Sequence, residues 1–143
     1  MTVISQLSRL ESAGLIRLVQ YEPELEYLFR HALVQDAAYG TLLTTDRKRL
    51  HQAVGEAVET LYADRLDELA AMLARHFQQA GDKDHALEYY TRAGESALAS
   101  FANQEAESLF RSALALPCSQ PQRMQLLSSL GEALYGESRF DEA

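Results

Sequence analysis

The sequence has no tryptophan, one cysteine, three prolines and seven glycines among 143 residues. The lone Cys118 cannot form an internal disulfide, which fits a reducing compartment, so we expect a cytoplasmic protein. The scarcity of helix breakers favours long helices. The longest apolar run, Leu69 to Ala74, is far shorter than the roughly 20 residues that span a bilayer. A continuous apolar signal segment is also absent near the start, so no membrane partner is expected.

Positive charge is also scarce: 13 Lys and Arg face 21 Asp and Glu, and the formal net charge is −8. Binding to nucleic acid depends on cations that replace counterions along the phosphates. The balance therefore argues against nucleic acid as the main partner. With 47% apolar and 24% charged residues, the composition is that of a folded globular chain and excludes disorder as the main state.

Catalytic and cofactor motifs are missing as well. No G-x-x-x-x-G-K-[ST] segment occurs, so the chain lacks the phosphate-binding loop of a nucleotide hydrolase. The histidines His31, His51, His76 and His85 lie in four different predicted segments without the spacing of a zinc site. We therefore expect neither an enzyme nor a cofactor or metal site. His31 is expected to be buried where a predicted hairpin meets the next helix.

Apolar residues at helical spacing dominate from residue 45 onwards and predict helices over 45–62, 66–80, 83–100, 103–116 and 120–136. The first of these helices carries the clearest stripe, which we expect to face the core. The stripe consists of Leu50, Ala53, Val54, Ala57, Val58, Leu61 and Tyr62.

The first 44 residues have a different pattern. We predict a helix over 2–13, a strand over 15–21, a turn at Pro23, a second strand over 25–29 and a helix over 30–43. A two-stranded hairpin alone is marginally stable in water, so it must pack on neighbouring helices. The predicted organisation is therefore residues 1–44 as one element and residues 45–143 as a helical region.

Two helical segments share a small–aromatic–small spacing, and a third segment carries leucines around a glycine. The three motifs are Ala86-x3-Tyr90-x2-Ala93, Ala106-x3-Phe110-x2-Ala113 and Leu127-x2-Leu130-Gly131-x2-Leu134. These spacings resemble the tetratricopeptide repeat.

The resemblance to the tetratricopeptide repeat implies a mainly all-α fold, a right-handed α-solenoid of helical hairpins. Its units would cover 67–100 and 87–120, with a third unit that starts at Met124 and is incomplete by residue 143. Because solenoid units bury their faces on neighbours, the incomplete unit would expose an apolar face that could mediate a homodimer.

The N-terminal motifs extend the resemblance. They are Leu7-x2-Leu10-x3-Gly14-Leu15-Ile16 and Tyr27-x-Phe29-x-His31-x-Leu33-x2-Asp36-x2-Tyr39-x2-Leu42. The first looks like the last helix and first wing strand of a winged helix, so residues 1–44 would be a partial winged-helix element. Together with the repeats, the succession is similar to the region that joins the ATPase to the helical arm in bacterial STAND-type signalling proteins. Such ATPases are fused to class III adenylate or guanylate cyclases, or act as transcription activators.

The resemblance to STAND-type proteins implies a non-catalytic regulatory fragment that couples the binding of a protein or peptide to an adjoining effector domain. An intramolecular contact with a neighbouring ATPase domain is also implied. The alternative is the DNA-binding portion of a transcription activator. DNA readout requires a cationic helix, and the first helix offers only Arg9 beside Glu11.

A tetratricopeptide-like register also implies a concave groove lined by exposed positions of each first helix. These positions are mostly polar or acidic, so the groove would favour a basic or neutral peptide, unless the side chains are merely solvated. They are Glu68, Ala71, Arg75, Gln78, Glu88, Thr91, Glu95, Leu98, Gln125, Ser128, Glu132 and Tyr135.

One cationic run, Arg47, Lys48 and Arg49, lies at a predicted helix start. Positive charge is unfavourable there because of the helix dipole. The run is therefore a candidate contact for a phosphate or a partner. The alternative is a solvated face or salt links to neighbouring acids.

Overall fold

The computed structural model describes residues 2–22 and 24–141, with side chains described as far as residue 136. The chain divides into two compact units, Met1–Thr44 and Thr45–Ala143. The described residues form seven helices and one two-stranded antiparallel sheet. The prediction of a mainly helical chain is therefore confirmed. The predicted turn at Pro23 and the last two residues of the third repeat unit lie outside the described residues.

The first unit contains helix α1 (Val3–Ser12), strands β1 (Ile16–Gln20) and β2 (Glu26–Phe29), and helix α2 (Ala32–Thr41). The Thr2 side chain accepts a hydrogen bond from the Ser5 backbone N–H at 3.4 Å and caps α1. Gly14 follows the helix with φ +71°, a left-handed conformation that glycine adopts without strain. That turn leads the chain directly into the hairpin.

Ile16 is the one buried residue among the described residues of this unit. The expectation that His31 is buried is wrong: His31 has extended backbone at the N-terminus of α2, and its side chain is exposed. The neighbouring Leu28 and Phe29 are also exposed, so the end of the hairpin provides no core in which a ring could be buried.

The second unit is a succession of five helices. They are α3 (Thr44–Leu61), α4 (Leu66–Ala80), α5 (Lys83–Ala99), α6 (Asn103–Leu114) and α7 (Gln120–Asp141). Neighbouring helices pack in chain order, α4 on α5, α5 on α6 and α6 on α7. The first four lie within two residues of the predicted bounds, whereas α7 continues to residue 141 rather than ending at 136.

A tight turn at Gly81 joins α4 to α5. Gly81 has φ +88°, and the N–H groups of Gly81 and Asp82 donate to the carbonyl oxygens of Gln78 and Phe77 at 3.1 and 2.9 Å. These are the two bonds of a Schellman motif. The Asp82 carboxylate then accepts from the His85 backbone N–H at 3.2 Å and caps α5. One glycine and one aspartate thus end one helix and begin the next.

Two aromatic rings pack directly on glycines of a preceding helix. Phe77 of α4 and Phe110 of α6 are fully buried. A Cβ added at Gly55 of α3 would lie 2.8 Å from Phe77 Cζ, and one added at Gly94 of α5 would lie 2.6 Å from Phe110 Cε1. Both distances are shorter than a van der Waals contact. The rings therefore reach the helix backbone only because these positions have no side chain.

Most of the predicted core stripe of α3 is exposed. Leu50, Val54 and Leu61 are exposed, whereas Val58 packs against the core and Gly55 is the buried residue of α3. The prediction was wrong for most of the stripe because the glycine, not the leucines, selects the contact face. With 100° between successive residues, the position of Gly55 is well over 90° around the helix from Leu50 and Leu61.

A Gly94→Ala substitution should destabilise the second unit. The new Cβ overlaps the Phe110 ring, and overpacking of this kind costs about 1–3 kcal/mol. The gain in helix propensity offsets roughly 1 kcal/mol of that cost. The free energy of unfolding from urea titrations measures the loss. Gly40→Ala in α2 is the matched control, because its added Cβ meets no atom within 4 Å. Equal changes in the free energy of unfolding for the two substitutions would contradict the close packing of Phe110 on Gly94.

Candidate functional site: a groove beside α5 and α7

A groove of about 810 Å³ runs along α5, the loop after α6 and the start of α7. Eight of its twelve lining residues are polar or charged, and the other four are apolar. Its lining residues are Asp84, Leu87, Glu88, Thr91, Arg92, Glu95, Pro117, Cys118, Ser119, Gln122, Gln125 and Leu126.

Helix α5 forms one wall through its periodicity. Glu88, Thr91 and Glu95 are spaced by three and four residues, so they lie one above another on the same face. Ala93 lies on the opposite face of α5 and Gly94 lies about a quarter turn from the groove face, and both are buried. The packing of α5 on its neighbours therefore leaves the acidic face open to the groove.

The start of α7 forms the other wall and is held by a reciprocal cap. The Ser119 backbone N–H donates to Gln122 Oε1 at 2.9 Å, and the Gln122 backbone N–H donates to Ser119 Oγ at 3.4 Å. This is the capping-box arrangement. Pro121 lies in the first turn of α7, where a missing N–H costs no helical hydrogen bond. The wall near Gln122 is thus defined by local sequence.

The groove is negative. Asp84, Glu88 and Glu95 line it, and Arg92 is the one cation among the lining residues. Arg92 is ion-paired with Asp67 of α4, so its charge is already compensated. Glu95 Oε1 also accepts a long hydrogen bond from Gln125 Nε2 of α7 at 3.5 Å. Two carboxylates at least are therefore left to attract a cationic ligand.

Four of the twelve predicted groove residues meet in this site: Glu88, Thr91, Glu95 and Gln125. The four predicted residues of α4 do not line it, and neither does Leu98 of α5. Glu68 pairs with Arg65 at 2.9 Å, and Gln78 accepts a hydrogen bond from the Tyr90 hydroxyl at 2.7 Å. Arg75 is exposed on the same helix.

Ser128, Glu132 and Tyr135 are exposed on α7 outside the groove lining. Sequence reasoning missed the contribution of the loop, including Pro117, Cys118 and Ser119. Pro117 marked the helix end, but only tertiary packing brings that loop beside α5.

Of the predicted cationic run Arg47, Lys48 and Arg49, the last two lie in different surroundings. The Lys48 ammonium lies 3.8 Å from the position of an added Gly81 Cβ, at the C-terminal end of α4, where the helix dipole favours positive charge. Arg49 instead lines a shallow depression with Asp46 and Glu56. Lys48 and Arg49 therefore both lie beside other groups of the same unit.

Two histidines that are 25 residues apart in sequence meet between α3 and α4. The Nδ1 atoms of His51 and His76 are 3.0 Å apart, so one ring donates and the other accepts, and they cannot both be fully protonated. Burial, followed by the charge of His51, lowers the pKa of His76 below its ordinary 6.5. No spacing rule on the sequence could have revealed this pair.

A third histidine, His85, behaves in the opposite way. A hydrogen bond to Asp82 Oδ2 at 2.7 Å raises the pKa of His85. Burial opposes the charge of Asp82, but the hydrogen bonds from His85 outweigh it, and the pKa of Asp82 is lowered. The interaction stabilises the start of α5 most when His85 is protonated.

Within residues 2–22 and 24–141, no cluster of three or more His, Cys, Asp or Glu side chains has the arrangement of a metal site. In the same part of the chain, none of the helices combines the length and the apolar character needed to cross a membrane.

Comparison of the chain with models of known protein families, with curated proteins and with solved structures found no match.

Acid should weaken the packing of α3 on α4. Because the pKa of His76 is lowered in the folded state, the unfolded chain binds more protons below pH 6.5. The contribution is fully present above that pH and falls as the pH drops through it. We expect a loss below about 1 kcal/mol, because both rings are partly exposed to solvent.

Urea titrations of the wild-type chain and His76→Asn at several pH values measure this loss. The difference in unfolding free energy between the two chains should change below the ordinary histidine pKa. His85→Asn is the control of opposite sign. The raised pKa of His85 means that protonated His85 stabilises the fold at acid pH, and this stabilisation is lost as the pH rises. A pH-independent difference between wild type and His76→Asn would refute the argument.

Proposed function

We propose that residues 45–143 are a non-catalytic protein-interaction module that binds a basic or neutral peptide segment of a protein partner along α5 and α7. The observation that carries this proposal is the groove itself, with Asp84, Glu88 and Glu95 in its wall and Arg92 already paired. A peptide backbone could lie along such a groove while Lys or Arg side chains meet the carboxylates.

Repeated packing supports a tetratricopeptide-like solenoid as the architecture of this module. Gly55 contacts Phe77 between α3 and α4, and Gly94 contacts Phe110 between α5 and α6. In both pairs the glycine lies in the first helix and the aromatic ring lies in the second. Extended concave surfaces built from such units commonly bind peptides.

The wider role that we propose follows the resemblance of the sequence motifs. The module would act as the regulatory arm of a cytoplasmic bacterial signalling ATPase of the STAND type, or of a nucleotide cyclase linked to one. Residues 1–44 would be a partial winged-helix element between the arm and the ATPase. Binding of a partner in the groove, or of the neighbouring ATPase domain itself, would bias the adjoining effector domain by its differential affinity for two states.

Charge reversal in the groove tests the proposal. The Glu88→Lys/Glu95→Lys chain should bind lysine-rich peptides at least about tenfold more weakly, because attraction is replaced by like-charge repulsion. Fluorescence anisotropy with labelled peptides that contain Lys, only neutral residues or Glu measures the dissociation constants.

The matched control is Glu105→Lys/Glu132→Lys. It changes the net charge equally, but neither residue lines the groove. Equal weakening in both double variants would show that the net negative charge of the chain, and not the groove, attracts the peptide. Preference of the wild-type chain for the Glu-containing peptide would overturn the proposal.

A further inference from the structure

The first helices of the repeated packing share a sequence spacing around a glycine. The spacing recurs in α7, which provides a third instance. The three segments are His51-x2-Val54-Gly55-x2-Val58, Tyr90-x2-Ala93-Gly94-x2-Ala97 and Leu127-x2-Leu130-Gly131-x2-Leu134.

In the part of the chain that the structure describes, no aromatic ring covers the glycine of α7 as rings cover the other two. A Cβ added at Gly131 meets no atom within 4 Å among the described residues, whereas those added at Gly55 and Gly94 overlap phenylalanine rings. Leu130 is buried, but Leu127 and Leu134 on either side of Gly131 remain 50% and 40% exposed. We call the surface of Leu127, Gly131 and Leu134 the α7 seat.

Two further apolar side chains extend this exposed face. Met124 is 71% exposed and Tyr135 is 66% exposed. At 100° per residue, both project within about 40° of Gly131 around the helix. Neither Met124, Tyr135 nor any residue of the α7 seat is charged, and a continuous exposed apolar face of this kind marks an interaction surface.

Helix α7 also carries the sequence pattern of a helix whose aromatic ring packs on such a glycine. Phe110 reaches Gly94 from the segment Ala106-x3-Phe110-x2-Ala113, and α7 contains Gly131-x3-Tyr135-x2-Ser138. Helix α7 therefore has the small–aromatic–small pattern, and its aromatic residue, Tyr135, is exposed. Phe77 and Phe110 are fully buried, so neither can fill a seat on another molecule while the unit is folded.

We propose that the α7 seat is covered by α7 of a second copy of the chain. The two helices pack antiparallel about a two-fold axis, and the Tyr135 ring of each copy lies on Gly131 of the other. The arrangement is isologous, because each copy contributes one ring and one seat. The uncharged face allows the approach of two molecules that each carry a net charge of −8, and salt strengthens the dimer by screening their repulsion.

Sedimentation equilibrium of the whole chain over a range of concentrations tests the proposal. We expect a reversible dimer, weak because one helix face is a small interface. Gly131→Ala places a Cβ under the ring, and Tyr135→Ala removes the ring. Each substitution should raise the dissociation constant of the dimer at least about tenfold.

The controls separate dimerisation from folding. Gly131→Ala meets no neighbouring atom in the monomer and improves helix propensity, so its thermal stability at low concentration should not fall. Tyr21→Ala removes an equally exposed tyrosine, 72% exposed, from the first unit and should leave the dimer intact. Peptide binding in the groove should survive both α7 variants, since neither residue lines it.

Three results would overturn the proposal. The first is a chain that stays monomeric at every accessible concentration. The second is a dimer that Gly131→Ala and Tyr135→Ala leave unchanged. The third is a monomeric chain that binds a synthetic peptide of residues 103–116 and loses that binding with Gly131→Ala. The third result would assign the seat to a helix of another protein.

Discussion

The close approach of an aromatic ring to a glycine backbone is the contact on which the second unit depends. Phe77 on Gly55 and Phe110 on Gly94 bury whole rings between helices. Full burial of such a side chain is worth about 1.5–3 kcal/mol, and any Cβ at the glycine would push the helices apart. The same kind of contact occurs between α3 and α4 and between α5 and α6.

This packing also determines which faces of the helices remain available. Because Gly94 faces Phe110, a different face of α5 borders the groove. That face carries Glu88, Thr91 and Glu95, opposite the start of α7. On α7, no ring of the described residues lies on the corresponding Gly131, and an uncharged face stays exposed. The position of the glycine on each helix therefore bears on both the groove beside α5 and the exposed apolar face of α7.

Helical periodicity and capping residues were sufficient to locate the elements. Gly81 and Asp82 mark a helix end and a helix start in the sequence, and the structure shows both. Periodicity was not sufficient to orient α3, whose leucine stripe is exposed. An apolar stripe shows which residues of a helix could be buried. The face that is actually buried is the one where a neighbouring aromatic ring can approach the backbone, at Gly55 in α3. The predicted groove residues of α4 do not line the groove, because α5, the loop after α6 and the start of α7 form its walls.

The sequence alone determined where most helices begin and end, because caps, glycine turns and apolar spacing act within a few residues of the chain; the end of α7 is the exception. It also determined the acidic balance and placed Glu88, Thr91, Glu95 and Gln125 in a candidate groove. Only the tertiary structure decided which face of each helix is covered, that the loop at Pro117 completes the groove, and that His51 meets His76. Those contacts join residues far apart along the chain, and they depend on the distance between helix axes, which no local pattern encodes.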